Sequence, residues 1–594
     1  MIKELTVYID GIEVKVPEGT TILDAAKKVN VDIPTLCYYK DLTPTGNCGI
    51  CVVEVENTPT LKRSCCTPVA DKMKIKTNTK QVIDARKTVL ELILSNHPND
   101  CLECFKNQNC ELQEMAEKLG VYELPFKRFD RDMPIDDKGV IIRDPNKCIL
   151  CGRCIQVCQE IQTVFAIDFI NRGYETKMAP FMDMPLSDSV CTNCGQCVVV
   201  CPVGALYEKS NIDDVWAAIN DPTKHVVVQE APAVRVAIGE EFGFKEGEVT
   251  AGKMHAVLRR MGFDRVFDTN FTADLTIMEE GTEVVHKIFK AFETGEFGKN
   301  LPVITSCSPG WIKFMETFFA DIREHISTAK SPQQMFGALS KTYYAKMENI
   351  DPKNIVSVSI MPCTAKKYEA ARPEMNASGY RDVDYVLTTR EFAKMIRQSG
   401  IDFKNLPDEP ADELMGFYTG AGTIFGATGG VMEAAIRTAY FVLSGEEMKD
   451  YDIKIVRGME GIKEGVLEVP VKKLGKKVAL KVAVAHGLGN ARKLLTKVAQ
   501  QLKEKGESEY HFIEIMACPG GCVGGGGQPY ACEYAARARR AEGLYKEDKE
   551  MLQFRASHQN PMVQKAYKEF LKEPYSEISH KLLHTKYVDR SDLV

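Results

Sequence analysis

The sequence predicts a multidomain α/β and α+β protein, and three observations carry that prediction. Its 594 residues are several times what one hydrophobic core serves. All of its 21 cysteines except Cys66 and Cys532 fall into short, regularly spaced groups. Beyond residue 210, short apolar strands alternate with amphipathic helices, the texture of an α/β domain. Composition is that of a globular chain, 44% hydrophobic and 27% charged, with no apolar run near the ~18 residues that suggest a membrane span. A net charge of -6 argues against nucleic-acid binding, which needs basic surface to neutralise phosphates. MIKELTVYIDG has no charged-then-apolar leader and reads as a first strand, so a cytoplasmic location is expected. A reducing cytosol keeps disulfides from forming, and thiols clustered there usually bind metal. Cys66 and Cys532 are read as plain thiols.

In residues 1–79, TVYIDGIEVKV alternates apolar and polar residues around Asp10-Gly11, a tight-hairpin pair, and TTILDAAKKVN adds a threonine-capped helix. Strand, strand, helix and then a cysteine-bearing loop is the order of a β-grasp domain. Cys37, Cys48, Cys51 and Cys65 are spaced C-x10-C-x2-C-x13-C, and Gly46 and Gly49 let backbone wrap an inorganic core. Four thiolates also suit zinc, but the β-grasp order favours iron. The segment resembles the 2Fe-2S domain of complex-I-type ferredoxin modules.

Residues 80–138 contain HPNDCLECFKNQNC, where His97, Cys101, Cys104 and Cys110 have the spacing H-x3-C-x2-C-x5-C. This resembles the histidine-ligated 4Fe-4S module that follows the β-grasp domain in complex I. An imidazole in place of a thiolate makes a cluster less negative and raises its potential. Residues 139–210 hold KCILCGRCIQVC and VCTNCGQCVVVCPVGAL, two C-x2-C-x2-C-x3-C repeats, the second ending in Cys-Pro as bacterial two-cluster ferredoxins do. In that pattern the fourth cysteine ligates the other cluster. Cys148, Cys151, Cys154 and Cys201 are thus assigned to one, and Cys191, Cys194, Cys197 and Cys158 to the other. Four clusters in series make an electron route.

In residues 211–594, LPVITSCSPGW, IVSVSIMPCTAKKYE and FIEIMACPGGCVGGGGQP each run from an apolar strand into cysteine and a loop rich in glycine, proline or lysine. Ligands in open α/β sheets bind at such carboxyl ends, so Cys307, Cys363, Cys518 and Cys522 are expected at one site able to hold one more cubane. In TIMEEGTEVVHKIF, helical spacing puts Glu280 on the face of Ile277, Val284 and Ile288, with Glu283 one turn on. Burial there raises a carboxyl pKa toward a value useful for moving protons.

These three loops, with the cysteine array before them, resemble the iron-only (FeFe) hydrogenases over essentially the whole chain. The family's loop signatures are TSCCPGW, MPCTxKKxE and a MACxGGCxxGGGQP type; here they read TSCSPGW, MPCTAKKYE and MACPGGCVGGGGQP. The resemblance implies a large two-lobed α/β catalytic domain holding the H-cluster. That group is a 4Fe-4S cubane bridged through one cysteine to a di-iron unit with carbon monoxide, cyanide and azadithiolate. By loop match, Cys363 and Cys518 are cubane ligands, Cys522 is the bridging thiolate, and Lys366 holds a cyanide. Met361, Met516 and Pro232 match residues packed round the di-iron unit, and Ala233 departs from a family serine. Register makes Cys307 the proton donor and leaves Ser308 where a ligand is expected. Either Ser308 or water completes the cubane, or the loop shifts so that Cys307 binds iron and Ser308 relays protons. The family relay maps to Cys307, Glu280, Thr328 and Glu283.

The implied activity is reversible interconversion of dihydrogen with two protons and two electrons. The N-terminal array resembles the catalytic subunits of NAD-coupled, electron-bifurcating hydrogenases. This implies ferredoxin or a flavin- and NADH-binding partner subunit as electron carrier, and maturation proteins to supply the di-iron unit. There are two rivals: a complex-I-like electron-transfer subunit, which fits the first 210 residues equally well, and a slow hydrogen sensor, which the Ser308 departure keeps open. The three cysteine loops disfavour the first, and a chain ending at KYVDRSDLV without a signalling module disfavours the second.

Overall fold

The computed structural model describes residues 3–129, 131–530 and 532–594. The chain folds into two compact units: Met1–Glu160, Phe165–Ser189 and Val200–Tyr207 form one, and Ile161–Val164, Val190–Val199 and Glu208–Val594 the other.

In the first unit, β1 (Glu4–Ile9) and β2 (Ile12–Pro17) pair antiparallel with Val7 opposite Val14. Asp10 (φ 51°) and Gly11 (φ 85°) supply the two left-handed residues this turn requires. Helix α1 (Ile22–Lys28) starts at Thr21, whose hydroxyl accepts from the Asp24 N–H at 3.1 Å. Strands β3 (Val52–Val55), β4 (Lys62–Arg63) and β5 (Lys74–Lys76) complete a sheet of order β2-β1-β5-β3-β4, with β5 parallel to β1. Leu5, Val7, Ile9, Val53 and Ile75 pack on the apolar residues of α1. Helix α2 (Lys80–Ser95) is fastened to this sheet by Arg86, which donates twice to the Val52 carbonyl, at 3.1 and 2.8 Å.

The second unit opens with β6 (His225–Glu230), β7 (Arg265–Asp268) and the long helix α3 (Thr269–Thr294). Next come β8 (Val303–Ile304), α4 (Pro309–Phe318), β9 (Ile355–Met361), α5 (Ala365–Ala370) and β10 (Tyr385–Thr388). Helix α6 (Gly430–Ser444), β11 (Ile462–Val471), β12 (Lys476–His486) and β13 (Phe512–Met516) follow. One sheet, β7-β6-β9-β10, is wholly parallel; the other, β8-β13-β12-β11, is parallel except at its β11 edge. β13 is buried along its whole length, which is why FIEIM is nearly continuous in apolar residues rather than alternating. Ile277, Val284 and Ile288 of α3 join Val431 and Met432 of α6 in one core.

After β13, residues 519–528 pack backbone against backbone. Gly521 is left-handed (φ 92°), and a Cβ at Gly525 would collide with the Pro362 carbonyl. A loop with few side chains must be held by others. Arg390 donates to the carbonyls of Gly526 (2.8 Å) and Gln528, and Gln196 donates to that of Gly524 (2.8 Å). The Gln528 amide accepts from the Thr389 hydroxyl (2.9 Å) and donates to the Ala233 carbonyl (2.8 Å). Arg390 is itself buried and forks onto Glu208 at 3.1 and 2.8 Å. Burial opposes the Glu208 charge, but the guanidinium pulls its pKa down to about 2.

Breaking one end of such a buried pair costs about 3–5 kcal/mol. Arg390→Met is therefore expected to lower the melting temperature sharply and to reduce bound iron, read by calorimetry and iron analysis. Arg390→Lys should recover only part of both, because a point charge cannot fork.

Candidate metal centre

The carboxyl ends of β6, β7, β8, β9 and β13, drawn from both sheets of the second unit, meet at one cavity with about 790 Å³ of atom-free space. Cys307, Ser308, Cys363, Cys518 and Cys522 line it, and Cys194 reaches its wall. Met361, Met516 and Pro232 supply apolar lining. Burial pushes the thiol of Cys363 up to about 12 and that of Cys522 up to about 11, and lifts Cys307 and Cys518 well above the usual range. Thiols this desolvated become thiolates only against a cation, so the donor set fits an iron–sulfur core. After burial, the charges acting on Cys518 are Cys363, Cys194 and Cys522, whereas those acting on Cys307 are Glu280 and then Cys522. The Ser308 hydroxyl accepts from the Ala517 N–H at 3.2 Å.

Lys366, on α5 directly after the Cys363 turn, donates to the Cys307 carbonyl (3.1 Å) and to Glu369 (2.9 Å). Glu369 also accepts from Ser331 (2.9 Å) and Gln333 (3.1 Å), which fixes the ammonium at the cavity edge. The turn is anchored in turn by Thr364, whose hydroxyl donates to the Asn193 carbonyl at 2.7 Å.

On the far side of Cys307, α3 buries both Glu280 and Glu283. Burial, with the Glu283 charge next, raises Glu280 to about 8 against the weaker pull of Ser327 and Ser306. Neither Glu280 oxygen has a well-formed hydrogen bond among the described residues. Glu283 accepts from the Ser327 hydroxyl (2.9 Å) and the Thr328 N–H (3.1 Å), with the Lys287 ammonium 3.0 Å away. The expected hydroxyl link, Thr328, is therefore corrected to Ser327. The Thr328 hydroxyl lies 2.8 Å from His584 Nδ1 instead. The segment is extended, bonded through the Ser327 N–H to the Ile304 carbonyl (2.8 Å), and successive side chains of an extended chain face opposite ways. Sequence reasoning also missed Lys287, although its place one turn beyond Glu283 on the same helix was a usable signal.

In the first unit, Cys37, Cys48, Cys51 and Cys65 lie in mutual contact, with Cys51 and Cys65 sulfurs 3.4 Å apart. Hydrogen bonds from Cys48 and Cys65 pull Cys37 down, and Cys65 pulls Cys51 down to about 6. Cys66 is exposed beside them. His97, Cys101, Cys104 and Cys110 line a second cavity with about 830 Å³ of atom-free space. There His97 Nε2 is buried without a partner, the orphaned donor or acceptor that a metal would satisfy. The two CxxCxxC repeats share one local geometry. The Leu150 N–H donates to Cys148 Sγ and the Asn193 N–H to Cys191 Sγ, each at 3.4 Å, and Leu150 and Asn193 are left-handed at 55° and 57°. Burial raises Cys148 and Cys194 each to about 11, and Cys201 is the first charge acting on both Cys148 and Cys151.

A model of the iron only hydrogenase large subunit, C-terminal domain, matches residues 224–526, and one of the iron hydrogenase small subunit matches residues 534–590. Upstream, a 2Fe-2S iron-sulfur cluster binding domain matches 3–80, the NADH-ubiquinone oxidoreductase-G iron-sulfur binding region 86–125, and a 4Fe-4S dicluster domain 147–205. The chain is 50% identical over 597 residues to the NADP-reducing hydrogenase subunit HndD of Solidesulfovibrio fructosivorans, covering 99% of this chain and 100% of that protein. It is 42% identical over 590 residues to iron hydrogenase 1 of Clostridium pasteurianum, with 98% and 99% covered. A solved variant of the FeFe-hydrogenase HydA1 from Chlamydomonas reinhardtii matches with a TM-score of 0.57 at 42% identity, covering 64% of this chain and 100% of that one. The chain therefore belongs to the iron-only hydrogenase family, its hydrogenase domain preceded by 2Fe-2S and 4Fe-4S ferredoxin-like domains that relay electrons.

Proposed function

We propose that the chain interconverts dihydrogen with two protons and two electrons. The observation that carries this is Cys307, the cavity thiol acted on by both Glu280 and Cys522. When bound, the di-iron unit supplies the site at which dihydrogen is split heterolytically. Cys363, Cys518 and Cys522 hold the group, Lys366 offers its ammonium to an anionic ligand, and Met361, Met516 and Pro232 keep water out. Cys307 passes a proton at its sulfur to the Glu280 carboxylate, which hands it by way of Ser327 to Glu283 and Lys287.

The chain divides in this reading into four functional segments, 1–79, 80–138, 139–210 and 211–594, each containing the match of a cluster-binding or hydrogenase model within or close to its bounds. Electrons travel through clusters at Cys148, Cys151, Cys154 and Cys201, and at Cys191, Cys194, Cys197 and Cys158. They continue to the groups at His97, Cys101, Cys104 and Cys110 and at Cys37, Cys48, Cys51 and Cys65. Because the relative HndD is a subunit of an NADP-reducing hydrogenase, a nicotinamide- and flavin-binding partner subunit, or ferredoxin, is the proposed carrier. No helix among the described residues is long and apolar enough to cross a membrane.

An infrared spectrum of anaerobically matured protein tests the central claim. Sharp bands in the metal carbonyl and cyanide region, shifting under dihydrogen, are expected, with viologen but not NAD(P)+ reduced by the isolated chain. A silent spectrum would leave an electron-transfer subunit. Glu280→Gln and Ser327→Ala should each slow hydrogen evolution on the order of 10²-fold or more at unchanged iron content, whereas Thr328→Val should stay within about twofold. Stability carries the same signature. Glu280 has a pKa of about 8 in the fold against 4.5 when solvated, so the native state holds its proton across that interval. Its contribution to stability is complete below the solvated value and is lost as pH rises through about 8. Glu280→Gln should therefore flatten the fall in melting temperature of the wild type over that range.

A further inference from the structure

Lys313 on α4 is 3% exposed, yet among the described residues no carboxylate lies within ion-pair distance of its ammonium. The acidic side chain one turn away, Glu316, is already saturated. It accepts from Arg372 (3.0 Å and a second, shorter bond), from Arg590 (3.1 Å) and from the Val588 N–H (2.9 Å). What Lys313 touches is the ring of Tyr368, 5.2 Å from its centroid, a contact worth too little to offset the burial of a full charge. A buried ammonium without an anion calls for one that the polypeptide does not provide.

The direction of α4 says where that anion belongs. One turn before Lys313, Gly310 lies against the second cysteine repeat: a Cβ there would stand 3.5 Å from the Thr192 carbonyl and 3.7 Å from Cys194 Cβ. Residues three apart share a helix face, so Lys313 extends toward the same loop. Burial lowers the ammonium's pKa, and the strongest opposing influence is Cys191, ahead of Glu316. The Thr192 hydroxyl in that loop is also buried without a well-formed hydrogen bond.

We propose that Lys313 is the counter-charge of the iron–sulfur cluster held by Cys191, Cys194 and Cys197, and that its ammonium raises the reduction potential of that cluster. A thiolate-ligated 4Fe-4S cluster is a net anion that gains one more negative charge on accepting an electron. A fixed cation favours the reduced form over the oxidised one, and no proton need move. Cys194 reaches the wall of the cavity, so this is the cluster that exchanges electrons with the catalytic group, and Lys313 makes it the better acceptor during dihydrogen oxidation. Lys313 is a positioning residue in this role, touching neither substrate nor the reacting atoms. The inference rests on reading the Cys191 repeat as cluster ligands.

The test is a potentiometric titration of the full, anaerobically reconstituted chain followed by electron paramagnetic resonance. In Lys313→Met one 4Fe-4S signal should move to more negative potential while the others stay, with iron and sulfide per chain unchanged. Lys313→Gln should reproduce the shift, and Lys313→Arg should stay near the wild type. Because the charge is buried, the shift should persist at high ionic strength. Superimposable titrations of Lys313→Met and wild type would overturn the proposal, as would equal shifts in the Met and Arg variants, which would mark a packing effect. Cys191→Ala should abolish the same signal that Lys313→Met moves. If it leaves that signal intact, the ligand assignment fails, a result distinct from a failure of the lysine's role.

Discussion

Direct contact of backbone with backbone in residues 519–528 is the constraint on which the catalytic cavity depends. The loop carrying Cys518 and Cys522 lies so close to the Cys363 turn and to Cys194 that no Cβ fits between them. Such contact brings three cysteine-bearing segments within reach of one compact group, but it removes the side chains that would otherwise fix the loop. Arg390, Gln196 and Gln528 replace them by bonding its carbonyls and the chain beside it, and Glu208 keeps the guanidinium of Arg390 in place. Rigidity is thus imported from the helix Thr389–Ser399 that follows β10, from the second cysteine repeat and from the strand Leu206–Glu208.

Low polarity around the cavity acts on both sides of Cys307. Toward the metal side it makes thiols weak acids that ionise only against a cation, which favours binding of an iron–sulfur core over free thiolates. Toward α3 it raises Glu280 to about 8, so that the carboxyl can both take and release a proton near neutral pH. Glu283, unlike Glu280, is paired, with the Ser327 hydroxyl and the Lys287 ammonium beside it. Polarity rises along α3, from an unpaired buried carboxyl to one joined to a partly exposed lysine, which is the order the proposed proton route requires.

The two proposed routes, for electrons and for protons, leave the cavity by different elements. The proposed proton route runs along α3 and the extended segment at Ser327, and the proposed electron route through the cysteine loop bound to the Cys363 turn by Thr364 and Asn193. Separate routes of this kind would each be tuned by their own neighbours, Glu283 and Ser327 for one and, as proposed, Lys313 for the other.

Much of this was legible in local sequence. The Asp10-Gly11 hairpin and the Thr21 cap rest on neighbours a few residues apart, and so did their prediction. The spacing of the cysteines pointed to 2Fe-2S and 4Fe-4S binding domains, which the matching family models bear out, because a metal core dictates short intervals between ligands. The periodicity of Ile277, Val284 and Ile288 put Glu280 on a buried face, because a helix repeats every 3.6 residues. Which of two adjacent hydroxyls meets Glu283 was not legible: Ser327 and Thr328 differ only in the side of an extended strand they face, and Ile304 sets that register from more than twenty residues away. Nothing in the local sequence singles out Arg390 or Lys313, for the same reason. The sequence by itself determined what chemistry the chain carries, since ligand types and spacings are local; only the tertiary structure decided which buried charges face it, since their partners come from distant strands.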